Sequence, residues 1–244
     1  MNVLITGGAT GIGLATTEYF LARGATVAVG YLEDGHRPAA GNILAIQCDI
    51  RSDEAVATMV DKVLRDFGSI DVLVNCASRT GMSAVASFLH CTPRQMADIV
   101  DTNLNGTIRV SQAVARAMVQ AGSGGSIIHV ASVGALAAQE RASIYCATKA
   151  AQVALAKGMA LELAPHNIRV NCVSPGDIQT DTSQIITEAH QSPDTTWGQY
   201  ARKTPLGRRG RPEEIAAAIY WLASPEASFV TGTNLLVDGG FLTY

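Results

Sequence analysis

Asn2-Val3-Leu4-Ile5-Thr6-Gly7-Gly8-Ala9-Thr10-Gly11-Ile12-Gly13 joins a short apolar run to a turn containing four glycines. From about Leu14 to Arg23 the pattern becomes that of an amphipathic helix. Strand, glycine turn and helix together form the arrangement that sets a pyrophosphate on a helix N-terminus. The glycines serve a tight turn, close backbone approach to phosphate, and close packing of helix on strand. Their spacing is G-x-x-x-G-x-G rather than the common G-x-G-x-x-G, and a plain strand-to-helix turn seldom needs four glycines.

The same alternation continues along the chain. Strands are predicted at Thr26 to Tyr31, Ile43 to Cys48, Ile70 to Asn75, Ser126 to Ala131, Ile168 to Ser174 and Leu235 to Val237. Between them, Asp53 opens a helix through Phe67, and Thr92 caps a long helix with Pro93 at its first position. A third helix begins at Ser143, read as its N-cap, and ends near Ala164, while Pro212 starts a last helix to Ala223. Residues Leu32 to Asn42 are too short and too rich in Pro and Gly for a crossover helix. This is the pattern of a single α/β domain over residues 1–244, a Rossmann-type doubly wound parallel sheet of about seven strands with helices on both faces. The polar stretch Asp177 to Thr204 is long for a compact domain and reads as a substrate lid.

Composition narrows the function. Apolar residues make up 48%, charged residues 16%, and net charge is −3, with no basic block to meet a phosphate backbone, so neither nucleic acid nor membrane is an expected partner. The five cysteines are dispersed without a C-x-x-C, and no targeting segment is read ahead of the first strand, which predicts a reducing, cytoplasmic setting. The five histidines lack metal spacing, and His129, inside a strand pattern, reads as structural.

Chemistry is concentrated between Ser132 and Lys149. Tyr145 and Lys149 lie four apart, on one face of the predicted helix, and Ser132 stands where the fifth strand ends. An ammonium beside a phenol is expected to lower the phenol's pKa, so that it gives a proton to a carbonyl oxygen or takes one from an alcohol. A serine hydroxyl aimed at the same oxygen steadies its developing charge. Alone, Tyr-x-x-x-Lys also describes an ordinary helix-surface pair; joined to the glycine turn it describes hydride chemistry.

With these motifs in this order, the chain resembles the short-chain dehydrogenase/reductase family, in its compact branch that includes 3-oxoacyl reductases. The resemblance implies an NAD(P)-dependent oxidoreductase acting on a small-molecule carbonyl or secondary alcohol. It assigns Tyr145 as general acid/base, Lys149 as the group that tunes it and holds the nicotinamide ribose, and Ser132 as the orienter of substrate oxygen. Asn103 is assigned support of a water in the proton path. For the cofactor it points to Gly7, Gly11, Ile12 and Gly13, to Asp49 with Ile50 at the adenine, to Asn75 and Ala77, to Tyr145 and Lys149, and to Pro175 and Gly176 beside the nicotinamide. The family's Asn-Asn-Ala-Gly is here Asn75-Cys76-Ala77-Ser78. Cofactor choice turns on the end of the second strand, where Tyr31 stands in place of a carboxylate and Arg37 follows in the linker; the balance favours NADP(H) over NAD(H). The apolar residues of the last helix and strand, with the resemblance, predict a homotetramer. The alternatives are a non-catalytic dinucleotide-binding regulator and a sugar-nucleotide epimerase or dehydratase.

Overall fold

A computed structural model describes residues 1–33, 43–180 and 204–244. Its strands are β1 (Asn2–Thr6), β2 (Thr26–Tyr31), β3 (Ile43–Gln47), β4 (Val72–Asn75), β5 (Gly125–Val130), β6 (Ile168–Pro175) and β7 (Asn234–Val237). They form one parallel sheet in the order β3-β2-β1-β4-β5-β6-β7. The helices are α1 (Gly11–Leu21), α2 (Asp53–Phe67), α3 (Pro93–Val100), α4 (Thr107–Ala121), α5 (Ser143–Leu163) and, among the described residues, lastly α6 (Pro212–Ala223).

Alternate strand residues feed two cores, because side chains on a strand point to opposite faces. Leu4, Ala28, Leu73, Ile127 and Val170 pack against α2, α4 and α5. Val3, Ile5, Val29, Val74 and Ile128 pack against α1 and α6. A sheet covered on both faces explains strands that read as nearly continuous apolar runs.

Local signals set the helix ends. The Ser52 hydroxyl accepts from Ala55 N at 3.2 Å, and Gly68 closes α2 in the left-handed region at φ 79°. Thr92 and Gln95 form a reciprocal capping box at α3. Two expectations are corrected. The single long helix from Thr92 is interrupted by a π-helical segment, Asp101–Gly106, that widens the backbone ring between α3 and α4. Ser143 is the first helical residue of α5, not its cap; Ala142 holds the cap position with φ −128° and no side-chain bond.

The last helix also departs from expectation, since its apolar residues are largely spent within the chain. Ile215, Ile219 and Leu222 are wholly buried against the sheet. Phe229 remains fully exposed, and Trp221 and Leu236 are exposed at 38% and 40%. Of the expected lid, only residues 177–180 and 204 are among those described; Arg37 lies outside them as well.

Candidate active site

The strand order reverses direction between β1 and β4, and the chain leaves their C-terminal ends in opposite directions. Ligands in open α/β sheets bind at such a point. Here a crevice of about 220 Å3 is lined by Gly7, Thr10, Tyr31, Glu33, Asp49 and Arg79, among others. Two glycines shape it. A Cβ on Gly13 would overlap the Gly7 carbonyl oxygen, and one on Gly7, whose φ is +66°, would stand 2.7 Å from Ala77 Cα. Thr17 Oγ1 fastens the turn by donating to the Gly8 and Gly13 carbonyls at 2.9 and 3.0 Å. Thr10, at the N-cap of α1, makes no side-chain cap bond, and the first turn carries no acid. The helix therefore presents amide N–H groups and its positive end to the crevice, which fits a dinucleotide pyrophosphate.

The other expected cofactor residues are placed unequally. Gly11 and Ile12 lie in the turn itself. Tyr31 and Asp49 line the crevice with Ile50 and Ala77, although the Ile50 side chain is buried. The Arg51 guanidinium grips both Asp49 oxygens at 2.7 to 3.1 Å and holds that carboxyl below its usual range. Asn75 departs from expectation: its amide, 3% exposed, donates to Ser111 Oγ at 3.0 Å and meets His129 Nδ1 at 3.1 Å. Side chains alternate along β4, so Asn75 follows Leu73 inward toward α4 and its side chain is not presented to the crevice. Pro175 ends β6, and Gly176 N donates to the Val237 carbonyl at 3.1 Å.

Beyond the crevice, Ser132 follows β5 in extended conformation, and its hydroxyl accepts from Gly134 N at 3.0 Å. The half-buried Tyr145 phenol lies within hydrogen-bonding reach of the Ser132 and Thr80 hydroxyls. Burial nevertheless raises its pKa above the ordinary tyrosine value, with those two bonds acting in the opposite direction. The expected net lowering by Lys149 does not occur: desolvation outweighs the attraction of an ammonium 5.6 Å from the ring centroid. Lys149 instead donates to the Val130 carbonyl at 2.8 Å and Gln152 Oε1 at 3.2 Å. Burial lowers its own pKa to about 8.

Asn103 is fully buried, and its side chain pins the loop after β4. Oδ1 accepts from Arg79 N at 2.7 Å, and Nδ2 donates to the Arg79 carbonyl at 3.1 Å and Thr148 Oγ1 at 3.2 Å. Sequence reading missed Thr80, Arg51 and Gln152. Gln152 lay within reach of it, being three residues beyond Lys149 on the same helical face. Thr80 did not, since it sits in an irregular stretch that only folding brings to Tyr145.

Comparison with known proteins agrees with this geometry. A family model described as enoyl-(acyl carrier protein) reductase matches residues 7–242. The 3-oxoacyl-[acyl-carrier-protein] reductase FabG of Chlamydia muridarum is 33% identical, over 97% of this chain and 95% of that protein. The L-rhamnose 1-dehydrogenase (NAD(P)(+)) of Azotobacter vinelandii is 36% identical, over 98% and 95%. Among solved structures, a short-chain type dehydrogenase/reductase from Mycobacterium marinum superposes with a TM-score of 0.89 at 37% identity, covering 100% of this chain and 96% of that one. An actinorhodin polyketide ketoreductase with NADPH gives 0.90 at 30% identity, covering 100% and 97%. A 3-ketoacyl-(acyl-carrier-protein) reductase from Brucella melitensis complexed with NADH gives 0.86 at 28%, covering 98% and 97%. With the glycine turn, the Ser132–Tyr145 contact and these likenesses together, the chain belongs to the short-chain dehydrogenase/reductase family of NAD(P)-dependent oxidoreductases.

Proposed function

We propose that this protein interconverts a small-molecule carbonyl and the corresponding secondary alcohol, with Tyr145 as the proton donor and acceptor. The observation that carries the reading is the Tyr145 phenol brought within reach of the Ser132 and Thr80 hydroxyls, beside a crevice built for a dinucleotide. A nicotinamide bound there would supply or remove the hydride. Tyr145 then delivers a proton to the substrate oxygen in reduction and accepts it in oxidation. A phenol with a raised pKa is fully protonated at neutral pH, which suits reduction in the absence of further charge. Ser132 orients the substrate oxygen, and Lys149, whose ammonium is buried beside the phenol, holds the nicotinamide ribose. Gly7, Gly11, Ile12 and Gly13 take the pyrophosphate, Asp49 and Ile50 the adenine, and Ala77, Pro175 and Gly176 flank the rest. Asn103 serves through the Arg79 loop that it pins.

For cofactor choice we favour NADP(H), supported by Tyr31 rather than a carboxylate at the end of β2. Glu33, which lines the same crevice, is the group that would turn the preference to NAD(H). The assembly proposed is a homotetramer, supported by the exposed Phe229, Trp221 and Leu236; light scattering giving a 25.5 kDa particle would refute it.

The test is a panel of ketones and secondary alcohols with NADPH and NADH, followed at the nicotinamide absorbance. Tyr145→Phe should bind cofactor normally and lose about 10²–10⁴-fold in turnover. Retention of more than about a tenth of wild-type kcat would remove Tyr145 from the role. A tenfold preference for NADH in kcat/KM would overturn the cofactor choice and implicate Glu33.

A further inference from the structure

Gln152 occupies the centre of a buried polar network that links α5 to the π-helical segment before α4. It is 1% exposed. Its Oε1 accepts from Lys149 Nζ at 3.2 Å, and its Nε2 donates to the Asn103 carbonyl at 2.6 Å and Thr107 Oγ1 at 3.0 Å. The amide orientation is fixed at both ends, since an ammonium requires an acceptor and a carbonyl requires a donor. The Asn103 carbonyl also accepts from Thr107 Oγ1 at 2.8 Å. A carbonyl oxygen has two lone pairs, and both are therefore filled by protein donors. Gln152 is thereby anchored to the π-helical segment while its oxygen faces Lys149.

The Lys149 ammonium has three N–H donors. The Val130 carbonyl and Gln152 Oε1 take two of them, which points the side chain and leaves one donor for a ligand. The groups facing Lys149 that titrate are Tyr145 on α5, Cys76 after β4, Cys172 on β6 and His129 on β5. Burial pushes the Cys76 and Cys172 thiols up to about 11 and about 12, and pushes His129 down to about 4. All three are thus uncharged at neutral pH, and none offers Lys149 a counter-charge. The Gln152 amide oxygen is the side-chain acceptor that supports the ammonium.

From this geometry we infer that Gln152 is a positioning residue: its oxygen holds the Lys149 ammonium charged and in place, and its nitrogen anchors it to the Asn103 carbonyl. The inference rests on the oxidoreductase reading of the site, but its first readout is independent of turnover.

That readout is the titration of Lys149 in cofactor-free protein, by NMR of 13Cε-labelled lysine. Wild type should titrate near about 8. Gln152→Met, of similar length and without hydrogen-bonding groups, should move the midpoint down by about one pH unit or more, since a hydrogen bond to a charged group is lost. Gln152→Glu should move it up, because a carboxylate favours the ammonium. In active enzyme the high-pH limb of carbonyl reduction should move with the same signs. A purely structural role would lower thermal stability in both variants and leave the midpoint where it is in wild type, and that result overturns the inference. Should neither variant fold, a high-resolution crystal structure of the wild-type holoenzyme decides. Gln152 Oε1 within hydrogen-bond distance of Lys149 Nζ sustains the inference, and a water in its place overturns it. Absence of any activity with nicotinamide cofactors, with the lysine shifts intact, would instead count against the oxidoreductase reading alone.

Discussion

Asn103→Leu separates a structural clamp from a direct part in the chemistry. The side chain is fully buried, and leucine fills a similar volume, so little cavity is made. What disappears is three hydrogen bonds: from Arg79 N, to the Arg79 carbonyl, and to Thr148 Oγ1. At about 1 kcal/mol each, the loss is about 3 kcal/mol. For a chain of this size 1 kcal/mol corresponds to roughly 2–4 °C, so the melting temperature should fall by roughly 6–12 °C. The freed segment carries Ser78 and Arg79, which line the dinucleotide crevice, and Thr80, which bonds Tyr145. Cofactor affinity should therefore weaken along with kcat. Differential scanning calorimetry, with cofactor binding by isothermal titration, measures both. A melting temperature within about 1 °C of wild type, combined with a tenfold or greater loss of kcat, would refute the clamp and return Asn103 to a direct part in catalysis.

Gly13→Ala should lower cofactor affinity at least about tenfold, because the new methyl overlaps the Gly7 carbonyl oxygen and the turn must open; unchanged affinity in a titration would mean that the turn does not hold the pyrophosphate. His129 predicts a pH dependence of stability. Its folded pKa is lowered by burial from 6.5 to about 4, so the unfolded chain binds more protons in that window. Its contribution is fully present above about pH 6.5 and is lost as pH falls toward 4, by about 3 kcal/mol. Urea midpoints of His129→Leu should be less favourable at neutral pH yet flatter between pH 6.5 and 4; an acid slope equal to wild type would assign the effect to other groups.

The secondary structure was legible because its signals are local. Apolar runs bounded by turns gave the strands, and α2 and α6 run between the residues their caps and periodicity indicate, Asp53 to Phe67 and Pro212 to Ala223. The glycine turn and the Ser132, Tyr145 and Lys149 set were legible for the same reason, as fixed spacings along one segment. The π-helical segment was not: Asp101–Gly106 is polar apart from Leu104 and holds no proline, so the helix from Thr92 reads as continuing through it. Nor could the sequence show that Asn75 turns inward to His129, 54 residues away, or that Gln152 meets the Asn103 carbonyl across 49. The direction of the Tyr145 shift belongs to the same class. Sequence places a lysine four residues on, which argues for a lowered pKa; only the tertiary structure sets how deeply the phenol is buried and how far off the ammonium lies. At 5.6 Å, with the ammonium engaged by Val130 and Gln152, desolvation outweighs attraction.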